Sequence, residues 1–184
     1  MAPGIVFIYA GQRRWFAAEN FSSDVDGGAE LAMNRVWKRN LPRFINWWLP
    51  FLGAGIRVTR LDADWKAVDV EMKLRFWNVN YVGTHYGGSL YSMTDPFYML
   101  MLMENLGRGY IVWDKAATIR FRKPGKGKVT ARFRLSEEQV EEVRRQLETE
   151  ERVQPAFRVE VRDESGEVVA EVEKILHVRK KQAA

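Results

Sequence analysis

The sequence holds no cysteine and only two histidines in 184 residues. The first absence excludes disulfides, thiolate nucleophiles and cysteine metal sites, and it fits a reducing compartment such as the cytoplasm. The second leaves too few imidazoles for a histidine-rich metal centre. Neither a metal nor a cofactor is expected. Long hydrophobic runs are also missing. The run Ile5-Val6-Phe7-Ile8-Tyr9-Ala10 has no basic residue before it and is far shorter than the ~20 residues of a bilayer span. No signal peptide and no stable membrane insertion are expected. Charge of one sign does not dominate either: the formal net charge is +5, with acidic residues interspersed along the chain. No nucleic-acid partner is expected from so modest an excess, although a basic surface suits an anionic ligand.

What is present fits one buried core, with no repeat or low-complexity tract. Residues 1–28 read as an N-terminal arm of undetermined structure and 29–184 as a single domain. Apolar positions over 29–52 follow a helical period interrupted by Pro42. Trp47 and Trp48, just before Pro50, are expected to pack that helix onto a sheet, with a membrane-surface or acyl-chain contact as the alternative. Val68, Val70, Met72 and Leu74 then alternate with charged residues, the period of a half-buried strand. From Ser89 to Leu106 the pattern changes: apolar residues occupy every helical face, so this helix is expected to be buried on nearly all sides. Alternating strands follow around Ala117–Arg122 and Lys128–Leu135, with Pro124-Gly125-Lys126-Gly127 as a turn between them. Ser136-Glu137-Glu138-Gln139 is a capping-box pattern opening a helix with the stripe Val140, Val143 and Leu147. A last hairpin turns at Asp163-Glu164-Ser165-Gly166. The fold class is α+β: an antiparallel sheet curved around one central helix, with an extra N-terminal helix. A helix this apolar needs a cover on its remaining face, which a second copy of the chain supplies most simply.

Asp95 is the anomaly in that helix. An unpaired buried carboxylate costs several kcal/mol, so it needs a partner, a wet site or a raised pKa. Pro96 follows it and removes a helical N–H, freeing the carbonyl of Ser92. A carboxylate beside a helix defect points to a site, with an interface salt bridge as the alternative. Gly87-Gly88 at the helix start lets a ligand approach the backbone, where unpaired N–H groups can hold an oxyanion. Asp95 lies about two turns further along, within reach of one elongated site. Arg120, Arg122, Lys123, Lys126 and Lys128 form a basic strip. Ser89 and Ser92 have no histidine partner in a triad arrangement, and His177 reads as structural.

The stretch Asn80-x5-Tyr86-Gly87-Gly88-x6-Asp95 resembles the Asn…His-Gly-Gly…Asp signature of hotdog-fold acyl-CoA thioesterases of the phenylacetyl-CoA thioesterase type. Ala117 to Gly125 resembles the strand and Pro-Gly turn that follow the central helix there. The general layout is similar to an uncharacterised, thioesterase-like branch of the same superfamily. The resemblance implies a hotdog fold, a homodimer or dimer of dimers, and hydrolysis of an acyl-CoA or acyl-carrier thioester. It implies Asp95 as general base or nucleophile, Gly87 as the backbone N–H that polarises the thioester carbonyl, and Asn80, from the other subunit, as a residue placing water or substrate. Gly88, His85 and Tyr86 would border the substrate, and Arg122 and Lys123 would meet the phosphates of coenzyme A. One departure stands out: Tyr86 occupies the family's histidine position, with His85 displaced by one residue. A non-catalytic acyl-CoA- or lipid-binding protein is therefore the alternative. The hydratase branch uses Asp-x4-His, where this chain has Asn80 and His85.

Overall fold

A computed structural model describes residues 44–181 of the chain. The expected arm over 1–28, and the helical stretch from 29 up to residue 43, lie outside the described residues. The first described elements are a 3-10 turn, Ile45–Trp47, and helix α1, Leu49–Ala54. Ile45 and Phe51 are the buried anchors here, whereas Trp47 is 72% exposed and Trp48 45%. The tryptophans do not pack this segment onto the sheet as expected. Gly55 ends α1 in the left-handed region at φ 74°, a conformation glycine adopts without a Cβ penalty.

Strands β1 (Ile56–Leu61) and β2 (Ala67–Lys73) form an antiparallel pair. The central helix comes next, in two pieces, α2 (Gly87–Ser92) and α3 (Phe97–Leu106). Strands β3 (Tyr110–Phe121) and β4 (Lys128–Arg134), helix α4 (Glu137–Thr149), and strands β5 (Arg152–Val153), β6 (Ala156–Asp163) and β7 (Val168–Lys180) complete the described chain. The sheet has seven strands, in the order β1-β2-β4-β6-β7-β3, with β5 paired to β7. All pairs are antiparallel.

This order corrects one expectation. Residues 122–127 do not close a hairpin, because β3 pairs with β7 at one edge while β4 lies between β2 and β6. The Pro124–Gly127 segment is instead a crossing over the ends of two intervening strands. The final hairpin is as expected, with the N–H of Gly166 donating to the Asp163 carbonyl at 3.0 Å. The capping box is also formed, with Ser136 and Gln139 bonding reciprocally. Val140, Val143 and Leu147 are all buried beneath α4.

The core lies between the sheet and α3. Phe97 meets Phe133 of β4 at 4.9 Å between ring centroids, and Tyr98 stacks on Phe157 of β6 at 4.7 Å. Each such ring contributes roughly 1.5–3 kcal/mol by leaving water. The Tyr98 hydroxyl donates to the Arg158 carbonyl at 2.9 Å, so its polar end is also satisfied. Met101, Leu102 and Leu106 are buried, while Met99, Leu100 and Met103 are only half-buried and leave an apolar stripe partly open. Among the described residues, no helix is long and apolar enough to cross a membrane.

Candidate active site

The loop before α2 is folded by Asn80. Its Oδ1 accepts the N–H groups of Val82 (3.1 Å) and Thr84 (2.9 Å), and its Nδ2 donates to Thr84 Oγ1 (2.9 Å) and the His85 carbonyl (3.1 Å). An asparagine used this way turns the chain back on itself. The turn delivers His85 to the crossing segment, where its N–H donates to the Gly125 carbonyl and its ring Nε2 to the Gly127 carbonyl, both at 3.0 Å. A carbonyl can only accept, so Nε2 carries the proton. Nδ1 is then a bare, buried nitrogen with no hydrogen-bond partner among the described residues. Burial lowers the His85 pKa, with the Gly127 bond pulling the other way.

A cavity of about 630 Å³ opens at this end of the helix, lined in part by His85, Gly87, Leu90, Phe121, Gly125 and Lys126. Gly87 is the close-approach point: a Cβ there would lie 3.0 Å from the Phe121 ring. The Tyr86 ring folds over Gly88 instead and is 61% exposed. Arg122 and Lys123 also line the cavity, but both are paired. Arg122 makes a bidentate bond to Glu171 at 2.7 and 3.0 Å, and Lys123 meets Asp163 and Glu167. Lys123, with Ser165, holds the Asp163 carboxyl well below the usual carboxylate range. Lys126 is the lining cation without an ion pair among the described residues.

The second feature lies at the break between α2 and α3. Pro96 ends the first helical piece, and tight turns replace the lost bonds: Thr94 N–H donates to the Tyr91 carbonyl (2.8 Å), and Asp95 N–H to the Ser92 carbonyl (3.3 Å). The carbonyl freed by the proline is thereby satisfied. Asp95 does not sit inside a continuous buried helix. It is carried at the break with 45% of its side chain exposed, and its carboxylate accepts a bond from Lys174 Nζ at 2.8 Å. Lys174, on β7, is fully buried. Its ammonium also lies 3.0 Å from Asp114 Oδ1, a contact outside hydrogen-bonding geometry, and 3.5 Å from the Tyr91 hydroxyl. Burial raises the Asp114 pKa, Lys174 opposes it, and the Asp95 charge adds to it.

The family model described as a domain of unknown function, DUF4442, matches residues 38–178. The chain belongs to the DUF4442 family. No curated protein matches it. Among solved structures it is similar to PA5026 of Pseudomonas aeruginosa, described as a protein of unknown function and probable thioesterase, at 23% identity and a TM-score of 0.68. That match covers 78% of this chain and 96% of the other. It is similar to the Haemophilus influenzae thioesterase HI1161 at 16% identity and a TM-score of 0.56, over 77% and 90% of the two chains. It is similar to the E. coli PaaI protein from the phenylacetic acid degradation operon at 16% identity and a TM-score of 0.53, over 79% and 94%. The fold of this DUF4442 chain is the hotdog fold.

The DUF4442 domain thus brings His85, Gly87, Arg122 and Lys123 to one cavity, whereas Asn80, Gly88 and Tyr86 do not line it. Asn80 instead holds the loop that carries its lining residues Val82, Thr84 and His85, and Tyr86 is mostly exposed. Asp95 does not line that cavity. Lys174 and Asp114 escaped the sequence reading. A signal for Lys174 was present: it falls in the inward alternation Val172, Lys174, Leu176, Val178, where a lysine is out of place. Asp114 had no comparable signal, because a bulge between Asp114 and Ala116 resets the alternation of β3. His177 stacks flat on Trp113 at 4.4 Å, consistent with the structural role read for it.

Proposed function

We propose that the protein is an acyl-CoA thioester hydrolase with Asp95 as its reacting carboxylate. The observation that carries this reading is a half-exposed carboxylate at a proline break in the central helix of a hotdog fold, about two turns beyond Gly87-Gly88. Asp95 takes a proton from water as the water oxygen bonds to the thioester carbonyl carbon. The Gly87 N–H holds the oxyanion. Collapse of the tetrahedral intermediate breaks the C–S bond, and the proton passes to the departing thiolate, leaving a carboxylic acid and a thiol. The thioesterase descriptions of PA5026 and HI1161 support this reading. Lys126, without an ion pair among the described residues, offers its charge to the coenzyme's phosphates, with Arg122 and Lys123 able to exchange carboxylate partners for them.

Asp95 and the Gly87 cavity are separate within one chain. The half-open stripe of Met99, Leu100 and Met103 gives a second copy a face to cover, so the proposed active form is a dimer in which the two features meet across the seam. A panel of acyl-CoAs differing in chain length and aromaticity tests the reading by thiol release. Wild type should turn over at least one, and Asp95→Asn should abolish that turnover with the fold intact. Unchanged hydrolysis in Asp95→Asn removes the assignment. The second reading, a non-catalytic acyl-CoA binder, is favoured by Tyr86 at the motif's histidine position. It predicts tight binding without turnover.

A further inference from the structure

We propose that Lys174 is the positioning residue of Asp95: a buried ammonium, braced from behind by Asp114, that aims the Asp95 carboxylate out of the helix break. The proposal rests on Asp95 as the reacting group, but the arrangement that motivates it stands on geometry. Lys174 enters from β7 at a position otherwise given to valine and leucine, and it has no exposure to water. An ion so placed is costly to desolvate, by several kcal/mol, unless its partners are well arranged. Here they come from three separate elements. Asp95 at the helix break is 2.8 Å away, Asp114 of β3 is 3.0 Å away, and Tyr91 of α2 offers its hydroxyl at 3.5 Å and its ring face at 5.4 Å. The neighbours that face Lys174 across the sheet, Ala117 of β3 and Phe157 of β6, carry no charge.

The two carboxylates differ in a way that matters. Asp95 is 45% exposed and Asp114 28%. Among the described residues Lys174 is the one side-chain hydrogen-bond partner of Asp95, so one carboxylate oxygen is tied to the buried ammonium while the side chain stays 45% exposed. Two carboxylates around one ammonium carry a net single negative charge, which a lone Asp–Lys pair does not. The second carboxylate shares the ammonium, so Asp95 is held by it without taking its whole charge. A plain structural salt bridge has no need of that third member.

The experiment compares wild type, Lys174→Met, Lys174→Arg, Asp114→Asn and Asp95→Asn in the full chain, using the acyl-CoA that wild type hydrolyses fastest. Lys174→Met should lower kcat by about 100-fold with KM nearly unchanged, on the scale of a misaimed catalytic group. The acid limb of its kcat profile should move to higher pH. Lys174→Arg should recover part of kcat. Asp114→Asn should move the same limb to lower pH. These opposite displacements separate electrostatic positioning from a loss of packing. A Lys174→Met enzyme with wild-type kcat and profile overturns the proposal. Where Lys174→Met does not fold, Asp114→Asn decides by the same limb, and an unmoved limb overturns it.

A readout independent of turnover is the carbon-13 titration of the Asp114 carboxyl. Its midpoint should fall in Asp95→Asn, because the ammonium then serves Asp114 alone. An Asp114 midpoint that ignores Asp95→Asn overturns the coupling through Lys174. Absence of hydrolysis of every acyl-CoA by wild type overturns the hydrolase reading instead and leaves the titration to judge this one.

Discussion

Lys174 and Asp95 meet at 2.8 Å, the lysine without exposure to water and the aspartate nearly half open to it. The pair joins the seventh strand to the interruption in the central helix, so it couples the sheet to the place where the chemistry is proposed. Its asymmetry gives the cluster a stability role as well as a directional one.

Removing the ammonium alone should be expensive. Lys174→Met leaves Asp114 and Asp95 without their cation, but both carboxylates reach water, so the expected cost is about 1–3 kcal/mol, below the penalty for orphaning a fully buried charge. Adding Asp114→Leu should return a large part of that loss, since an apolar pair of similar bulk needs no desolvation. Urea midpoints of the two single variants and the double variant check this. Strict additivity would mean that the two residues do not interact.

Stability should decline on mild acidification, and His85 should account for part of the slope. Burial lowers the folded-state pKa of His85, so the unfolded chain binds the proton more readily. Stability is then fully present above the unfolded value of about 6.5 and falls as pH drops from there towards the folded value. His177 is lowered by burial and by Lys115, Arg152 and Arg179, and contributes with the same sign. Asp114, raised by burial, acts in the opposite sense. The difference between wild type and His85→Gln isolates the imidazole. Denaturant titrations between pH 7.5 and about 5 should give a flatter curve for His85→Gln, and parallel curves would refute the assignment.

Gly125 and Gly88 should respond differently to alanine. A Cβ at Gly125 would lie 3.0 Å from Val169 Cγ1 and 3.2 Å from His85 Cδ2, both in packed surroundings. Gly125→Ala is expected to cost about 1–3 kcal/mol, the range of overpacking. At Gly88 the contact is nominally tighter, 2.4 Å, but it is with the ring of Tyr86, which is exposed and free to swing outward. Gly88→Ala should cost well under half as much, as thermal midpoints of the two variants would record.

Asn80 supplies a test of loop against substrate. All four of its side-chain bonds stay within residues 80–85. Asn80→Ala should therefore speed amide exchange at Val82 and Thr84 and destabilise the fold by about 1–2 kcal/mol. Unchanged exchange at those two amides would show that the loop does not depend on the asparagine.

Much of the fold was legible in local patterns. Alternation over Val68–Met72 and Val129–Leu135, the stripe on α4 and its capping box each state which face is buried, because pleat and helix periods are fixed by the backbone. A defect in the central helix was legible too, since Pro96 removes a helical donor wherever it falls, but the pattern over Ser89–Leu106 read as one helix and not as the two pieces that form. The Trp47-Trp48 pair misled, because bulk and apolarity do not say which side of a short segment faces the sheet. Ile45 and Phe51 took the buried positions instead. The Pro124–Gly127 segment misled for a related reason. A turn composition bends the chain but does not choose the next strand's partner.

The sequence by itself determined the elements, the apolar helix, the carboxylate at its defect and the Gly-Gly start before it. These depend on residues close along the chain, where sterics and hydrogen bonding act directly. Only the tertiary structure decided that β3 and β4 separate, that 122–127 borders a cavity with His85 and Gly87, and that Asp95 shares one buried ammonium with Asp114. Those facts depend on strand order and on a bulge in β3, which bring residues from distant stretches of the chain within 3 Å. Strand order follows from burying every apolar face at once, and no local window of sequence contains that condition.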